Sequence, residues 1–254
     1  MRSAGFALAL VAIVSKPAGA EDLLVAAAVS LREPLETIAR RFESEHAGVR
    51  VQLAFGASST LAAQARAGAP LDVFVAADEE SVDSLAAAGL VREGSRRLLA
   101  GNQLVVIASR DLRVPLERAA DLARPEVRRI ALPERAVPLG HYAREWLAGR
   151  GLLDTLTPRL VTTEHARATL AAVDAGNADA GIVYATDARV ARSARVAFVP
   201  PAAEQPRIAY VATLVTRART PALAERFIAA LAGPDARRVL VAAGFAPPPG
   251  EPPR

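Results

Sequence analysis

Twice in its first quarter this chain runs an apolar strand pattern straight into a serine at the start of a helix pattern. Leu23-Leu24-Val25-Ala26-Ala27-Ala28-Val29 leads into Ser30, with Glu33 three residues later at capping-box spacing. Val49-Arg50-Val51-Gln52-Leu53-Ala54-Phe55 leads through Gly56-Ala57 into Ser58-Ser59-Thr60-Leu61. Each junction brings a hydroxyl and unpaired backbone N–H groups to the positive end of a helix, an arrangement suited to a small anion. The junctions also constrain the fold, because strands that feed helices in alternation build parallel sheets flanked by helices.

The alternation continues along the chain. The apolar spacing predicts helices bearing Leu35, Ile38, Ala39 and Phe42, then over 60–67, 140–148, 164–175 and 234–242. A stripe of Val82, Leu85 and Ala86, a short helix over 116–123, and a helix opened by Thr220-Pro221 complete the set. Strands are expected at 72–76, 104–108, 129–132, 181–184 and 208–215. The pattern restarts near 104–108, which implies two α/β lobes with a cleft between them. In such sheets ligands sit beyond the carboxyl ends of the strands.

The termini and composition narrow the function. Residues 1–20 read as a secretory signal: Arg2, an apolar core from Phe6 to Val14 too short to span a bilayer, and Ala18-Gly19-Ala20 before Glu21. Its removal takes away Arg2 and Lys16, the sole lysine, and lowers the formal net charge of +4 by two. The near balance of charges and an aromatic share of 4% argue against nucleic acid as a partner. The chain has no cysteine, which excludes disulfides and a lipid on an N-terminal cysteine. His46, His141 and His165 lack the paired spacing of a metal site, and Asp72 and Asp78 read as turn and cap residues. No G-x-S-x-G elbow surrounds Ser58, and there is no dinucleotide fingerprint, so an enzyme is not expected.

Six segments in order resemble the periplasmic molybdate-binding proteins, the solute receptors of molybdate ABC transporters. They are Ala26-Ala27-Ala28-Val29-Ser30-Leu31, Ala57-Ser58-Ser59-Thr60-Leu61, Gly68-Ala69-Pro70-Leu71-Asp72-Val73-Phe74 with Ala77-Asp78, Gly101-Asn102-Gln103-Leu104-Val105-Val106, Val137-Pro138-Leu139-Gly140-His141-Tyr142-Ala143, and Gly181-Ile182-Val183-Tyr184 with Asp187-Ala188. The resemblance implies a two-lobed type II periplasmic-binding-protein fold, each lobe a mainly parallel sheet flanked by helices. It implies lobe 1 from 21–103 and 208–246, lobe 2 from 104–207, and crossing strands near 104–109 and 205–215. Residues 247–254 are expected to be a flexible tail.

The same resemblance implies a site in which molybdate, or tungstate, is held by neutral donors alone. These are the hydroxyl and backbone N–H of Ser30 and of Ser58, the backbone N–H of Leu139 and of Ala166, and the hydroxyl of Tyr184, with no direct ligand to the metal. Ser59 and Thr60 are alternatives to Ser58. Val29 and Leu139 stand where relatives often carry smaller residues. The implied partners are a membrane permease and its ATPase, with the receptor a periplasmic monomer and no cofactor. The plainer reading makes Ser30 and Ser58 simple N-caps. Another oxyanion, sulfate or phosphate, is the alternative ligand; an organic carboxylate would call for an arginine clamp, and none is among the five contacts.

Overall fold

The computed structural model describes residues 21–250 of the 254. The expected signal segment, 1–20, and the last four residues of the expected tail lie outside the described residues. The strands are β1 (Glu21–Ala28), β2 (Val49–Gly56), β3 (Val73–Ala76), β4 (Arg97–Asn102), β5 (Leu104–Ala108), β6 (Ile130–Pro133), β7 (Leu160–Thr163), β8 (Ala180–Tyr184), β9 (Arg195–Phe198) and β10 (Ile208–Leu214). The helices are α1 (Arg32–Glu45), α2 (Ser58–Arg66), α3 (Glu79–Ala87), α4 (Pro138–Gly149), α5 (Leu153–Leu156), α6 (Ala166–Asp174), α7 (Ala185–Ala188), α8 (Pro221–Ala232) and α9 (Pro234–Ala242).

The strands form two five-stranded sheets, ordered β2-β1-β3-β10-β4 and β7-β6-β8-β5-β9. In the first, β1 is parallel to β2 and β3, while β10 is antiparallel to both β3 and β4. In the second, β6 is parallel to β7 and β8, while β5 is antiparallel to β8 and β9. Each sheet thus has a single strand opposed to its four fellows. Those two strands, β5 and β10, are the ones entered directly after the chain crosses from one sheet to the other.

The crossings are stitched together. β4 passes through Gln103 into β5, and the return runs from β9 through a 3-10 turn (Ala202–Glu204) and Gln205 into β10. The Gln205 side chain pairs with the Leu104 backbone as a strand neighbour would: Leu104 N–H donates to Oε1 at 2.8 Å, and Nε2 donates to Leu104 O at 3.0 Å. A second bond from Nε2 to Pro200 O, 3.0 Å, fixes the amide.

Local patterning explains the elements. Leu35, Ile38, Ala39 and Phe42 of α1 are buried, with Arg40, Arg41 and Glu45 exposed. Pro138 and Pro221 occupy the first turns of α4 and α8, where a missing N–H forfeits no bond. β1, β3, β5 and β8 are buried along most or all of their length, which their continuous apolar runs require. Tyr210 of β10 packs edge-on against Tyr184 at 6.1 Å and against Phe245 at 5.0 Å, so aromatic rings fill the space between the sheets.

Some expectations need correction. α2 begins at Ser58 rather than residue 60, and α4 begins at Pro138 rather than 140. The segment 116–123 is helical only as a 3-10 turn over Ala119–Ala123, and Ala86 is exposed. Strands β4, β7 and β9, which the apolar pattern did not mark, all lie at sheet edges.

Candidate functional site

The five residues expected at the site come together. Ser30, Ser58, Leu139, Ala166 and Tyr184 all line one cavity of about 20 Å³, with Ala28, Val29, Gly56, Ala57, Ala77, Val137, Pro138 and His165 completing its wall. A single water needs roughly 10–15 Å³, so this space is on the scale of a small inorganic ion and smaller than a sugar or an amino acid. No Asp, Glu, Lys or Arg is in the wall. A wider cleft of about 930 Å³ meets the cavity at Gly56, Ala57, Val137 and His165.

Helix starts supply the donors. Ser30 lies in a 3-10 turn (Val29–Leu31) between β1 and α1, and Ser58 is the first residue of α2. In α4 the bond from His141 N–H to Val137 O is the first of the helix, so the Leu139 and Gly140 N–H groups precede the helical ladder. In α6 the His165 ring caps the helix, its Nδ1 accepting from Ala168 N–H at 3.1 Å, and Thr169 N–H bonds His165 O. Ala166 N–H therefore also precedes the ladder. Partial positive charge at the starts of α2, α4 and α6 converges on the cavity.

Neither serine is an N-cap. The cap positions of the 3-10 turn, α1 and α2 are Ala28, Leu31 and Ala57, none with a side-chain cap bond. The capping box expected between Ser30 and Glu33 does not form, because both side chains are engaged elsewhere. Ser58 Oγ accepts from Ala77 N–H at 3.0 Å. That uses an oxygen lone pair and leaves its own proton to donate.

Ser30 is oriented by a relay. Asn102 Oδ1 accepts from Gln103 N–H at 2.9 Å, which fixes the amide so that Nδ2 donates to Thr186 Oγ1 at 2.9 Å and to Tyr210 Oη at 3.2 Å. With an acceptor site of Tyr210 taken, its hydroxyl is free to donate to Ser30 Oγ, 2.9 Å away. When it does so, the Ser30 proton is left for a ligand in the cavity. Donors in series polarise one another, so each strengthens the next.

Tyr184 is the residue with an unmet need. It is 2% exposed, and its hydroxyl has no hydrogen-bond partner. Burial, helped by Tyr210 and Tyr142, holds its pKa well above the ordinary phenol value. The group is therefore a neutral donor. A buried hydroxyl without a partner costs about 1–3 kcal/mol, and the cavity it lines is where a partner would sit.

The sequence reading assigns no site role to Tyr210, to Asn102, which lies in one of the six segments, or to His165, which it weighs only as a metal ligand. Asn102 carried a signal, as an amide between the apolar runs of β4 and β5. His165 carried one as the residue before a helix start. Tyr210 within an apolar strand carried none. Asp72 and Asp78 take the structural roles expected: Asp72 accepts from Leu24 and Arg219 N–H groups, and Asp78 caps α3. Among the described residues no group of His, Cys, Asp and Glu is arranged to hold a metal ion. Neither site serine is hydrogen-bonded to a histidine or a carboxylate, the pairing an activated nucleophile needs. What the arrangement can do is accept a small dianion as a set of fixed donors.

Comparison with known proteins gives the family. Residues 23–246 match the family model described as bacterial extracellular solute-binding protein. The molybdate-binding protein ModA of Mycobacterium tuberculosis (strain H37Rv) is 35% identical over 232 residues, 91% of this chain and 86% of that protein. ModA of Escherichia coli (strain K12) is 33% identical over 95% of each chain. The solved Azotobacter vinelandii periplasmic molybdate-binding protein superimposes with a TM-score of 0.80 at 30% identity, over 89% of this chain and 99% of that one. The fold is that of the type II periplasmic binding proteins. The chain belongs to the bacterial extracellular solute-binding proteins, in the family that includes the molybdate-binding receptors.

Proposed function

We propose that this protein binds molybdate, and tungstate as an ion of like shape and charge, outside the cytoplasm and delivers it to a membrane permease driven by an ATPase. The observation that carries the reading is the buried, partnerless Tyr184 hydroxyl in a small cavity whose other polar groups are also neutral donors. The hydroxyl and N–H of Ser30 and of Ser58, the N–H groups of Leu139 and Ala166, and the Tyr184 hydroxyl surround the anion. Each hydrogen bond to a charged group contributes about 1.5–3 kcal/mol.

A wall of donors also selects by protonation. Phosphate near neutral pH keeps a proton that needs an acceptor, and no carboxylate lines the cavity. Fully deprotonated tetrahedral dianions fit; among them size, set by the fixed donors, separates molybdate and tungstate from sulfate. The receptor works as a periplasmic monomer after loss of residues 1–20. Segments 21–103 and 208–246 move as one lobe and 104–207 as the other. They close about the crossings at Gln103 and Gln205, because an anion touching both lobes favours the closed state by its extra contacts.

Calorimetric titration with molybdate, tungstate, sulfate and phosphate tests the ligand. Tight binding of the first two with a much weaker response to the others is expected; tight binding of phosphate or sulfate with none of molybdate overturns it. Small-angle scattering tests closure and monomer state together. The radius of gyration should fall at saturating molybdate, and equal compactness with and without it contradicts the hinge.

A further inference from the structure

Next to Ala166, the side chain of Arg167 ties together the three segments that carry Ser30, Ala166 and Tyr184. Its Nη2 donates to Glu33 Oε2 at 2.5 Å. Glu33 stands in the first turn of α1, three residues beyond Ser30. Arg167 Nε lies 2.7 Å from Asp187 Oδ1. Asp187 is in α7, three residues beyond Tyr184. The Nε–Oδ1 approach lies off the N–H direction, so this contact is an ion pair by proximity and not a directed bond. α1 packs on the first sheet and α6 on the second, and α6 also lies against the 3-10 turn that holds Ser30.

We propose that Arg167 is a positioning residue, a clasp that holds the two lobes closed over the anion by linking Glu33 to Asp187. This rests on the molybdate reading. The clasp is anchored at one end and open at the other: Asp187 is fully buried, the Arg167 side chain is 19% exposed, and that of Glu33 is 51% exposed. Burial raises the Asp187 carboxyl to about 7, and the neighbouring Arg167 guanidinium, which favours its ionised form, offsets only part of that rise. A guanidinium ordered from behind loses little freedom when it meets Glu33, which is what an exposed pair otherwise lacks. Breaking the Glu33 contact leaves the inner pair in place, so the lobes can part there without stranding a buried charge.

The sign of one substitution separates the clasp from plain electrostatics. Glu33 is a negative charge near the site of a dianion, so by charge alone Glu33→Gln should tighten binding. A clasp predicts the reverse. Molybdate affinity by calorimetry, release by stopped flow and the ligand-free melting temperature are measured for Glu33→Gln, Arg167→Gln, the double variant and Glu36→Gln. Glu36 pairs with Arg32 on the same helix at 3.7 Å and supplies the same charge change without the clasp. Glu33→Gln should weaken binding by about two- to fivefold, with release faster by the same factor and melting unchanged. The double variant should be no weaker than Arg167→Gln alone, and Glu36→Gln should bind as the parent does. Unchanged or tighter binding by Glu33→Gln, or single effects that multiply in the double variant, overturns the clasp while leaving the ligand reading intact. If Arg167→Gln does not fold, Glu33→Gln against Glu36→Gln decides the matter alone. A parent protein that ignores molybdate removes the ligand reading and the clasp with it.

Discussion

Replacing Tyr184 by phenylalanine should cost affinity without costing stability. The ring contributes buried contacts and an edge-on packing with Tyr210, all kept in Tyr184→Phe. The hydroxyl makes no hydrogen bond to another group of the protein, so its loss breaks none in the ligand-free fold. For a chain of this size each kcal/mol moves the melting point by roughly 2–4 °C, and ligand-free Tyr184→Phe should melt no lower than the parent. In the complex the same deletion removes a hydrogen bond to a dianion, about 1.5–3 kcal/mol, or roughly ten- to a hundredfold in Kd. Calorimetry at 25 °C and thermal unfolding without ligand read the two effects. A variant that melts lower and binds molybdate as tightly as the parent would refute the reasoning, because the hydroxyl would then be structural.

The relay behind Ser30 makes Tyr210→Phe informative: it touches no ligand, yet it should weaken molybdate binding by about three- to tenfold through loss of a cooperative donor. Unchanged affinity by calorimetry in a folded Tyr210→Phe would show that Ser30 needs no such orientation. Gly140 sits in the first turn of α4, where an added Cβ would meet Glu134 O at 2.0 Å and Pro133 O at 2.6 Å. Gly140→Ala should therefore cost about 1–3 kcal/mol in urea unfolding and displace the Leu139 N–H enough to weaken binding; parental stability would contradict that crowding. Asp78 is raised from 3.8 to about 6 by burial, against its bonds to Ser81. The folded state then holds a proton the unfolded state has lost between those values, so this group's contribution is full below pH 4 and fades as pH rises to 6. Asp78→Asn keeps the cap of α3 and should flatten that part of the stability–pH curve, by about 3 kcal/mol at most; an unchanged slope from pH 4 to 6 would exclude Asp78 as its source.

The fold was readable wherever a strand is buried on both faces. β1, β3, β5, β8 and β10 announce themselves as unbroken apolar runs, and the end of the chain as α9 from Pro234. β7 and β9 are half-exposed, and β4 begins with two exposed residues, so none of these edge strands carries a full apolar pattern. At the site, Ser30, Ser58 and the Leu139 turn could be reached from strand–helix junctions. Ala166 and Tyr184 came through resemblance: a backbone donor such as Ala166 leaves no trace in residue type, and a tyrosine ending an apolar strand reads as core. Tyr210 was illegible for a different reason. Its role depends on a contact to Ser30 across 180 positions of sequence, which only the folded β10 creates. Glu33 shows how a sound local rule can mislead: its spacing from Ser30 fits a capping box, but a guanidinium from α6 binds its carboxylate instead.

The central claim is that one small anion sits among the neutral donors of five residues. Crystals grown with molybdate and measured at the molybdenum absorption edge test it most directly. The account predicts one anomalous peak inside the cavity, with oxygens within hydrogen-bonding distance of the Ser30, Ser58 and Tyr184 hydroxyls and of the Leu139 and Ala166 N–H groups. A molybdenum peak elsewhere, or one ligated by carboxylates, with that cavity holding no anion, would contradict it.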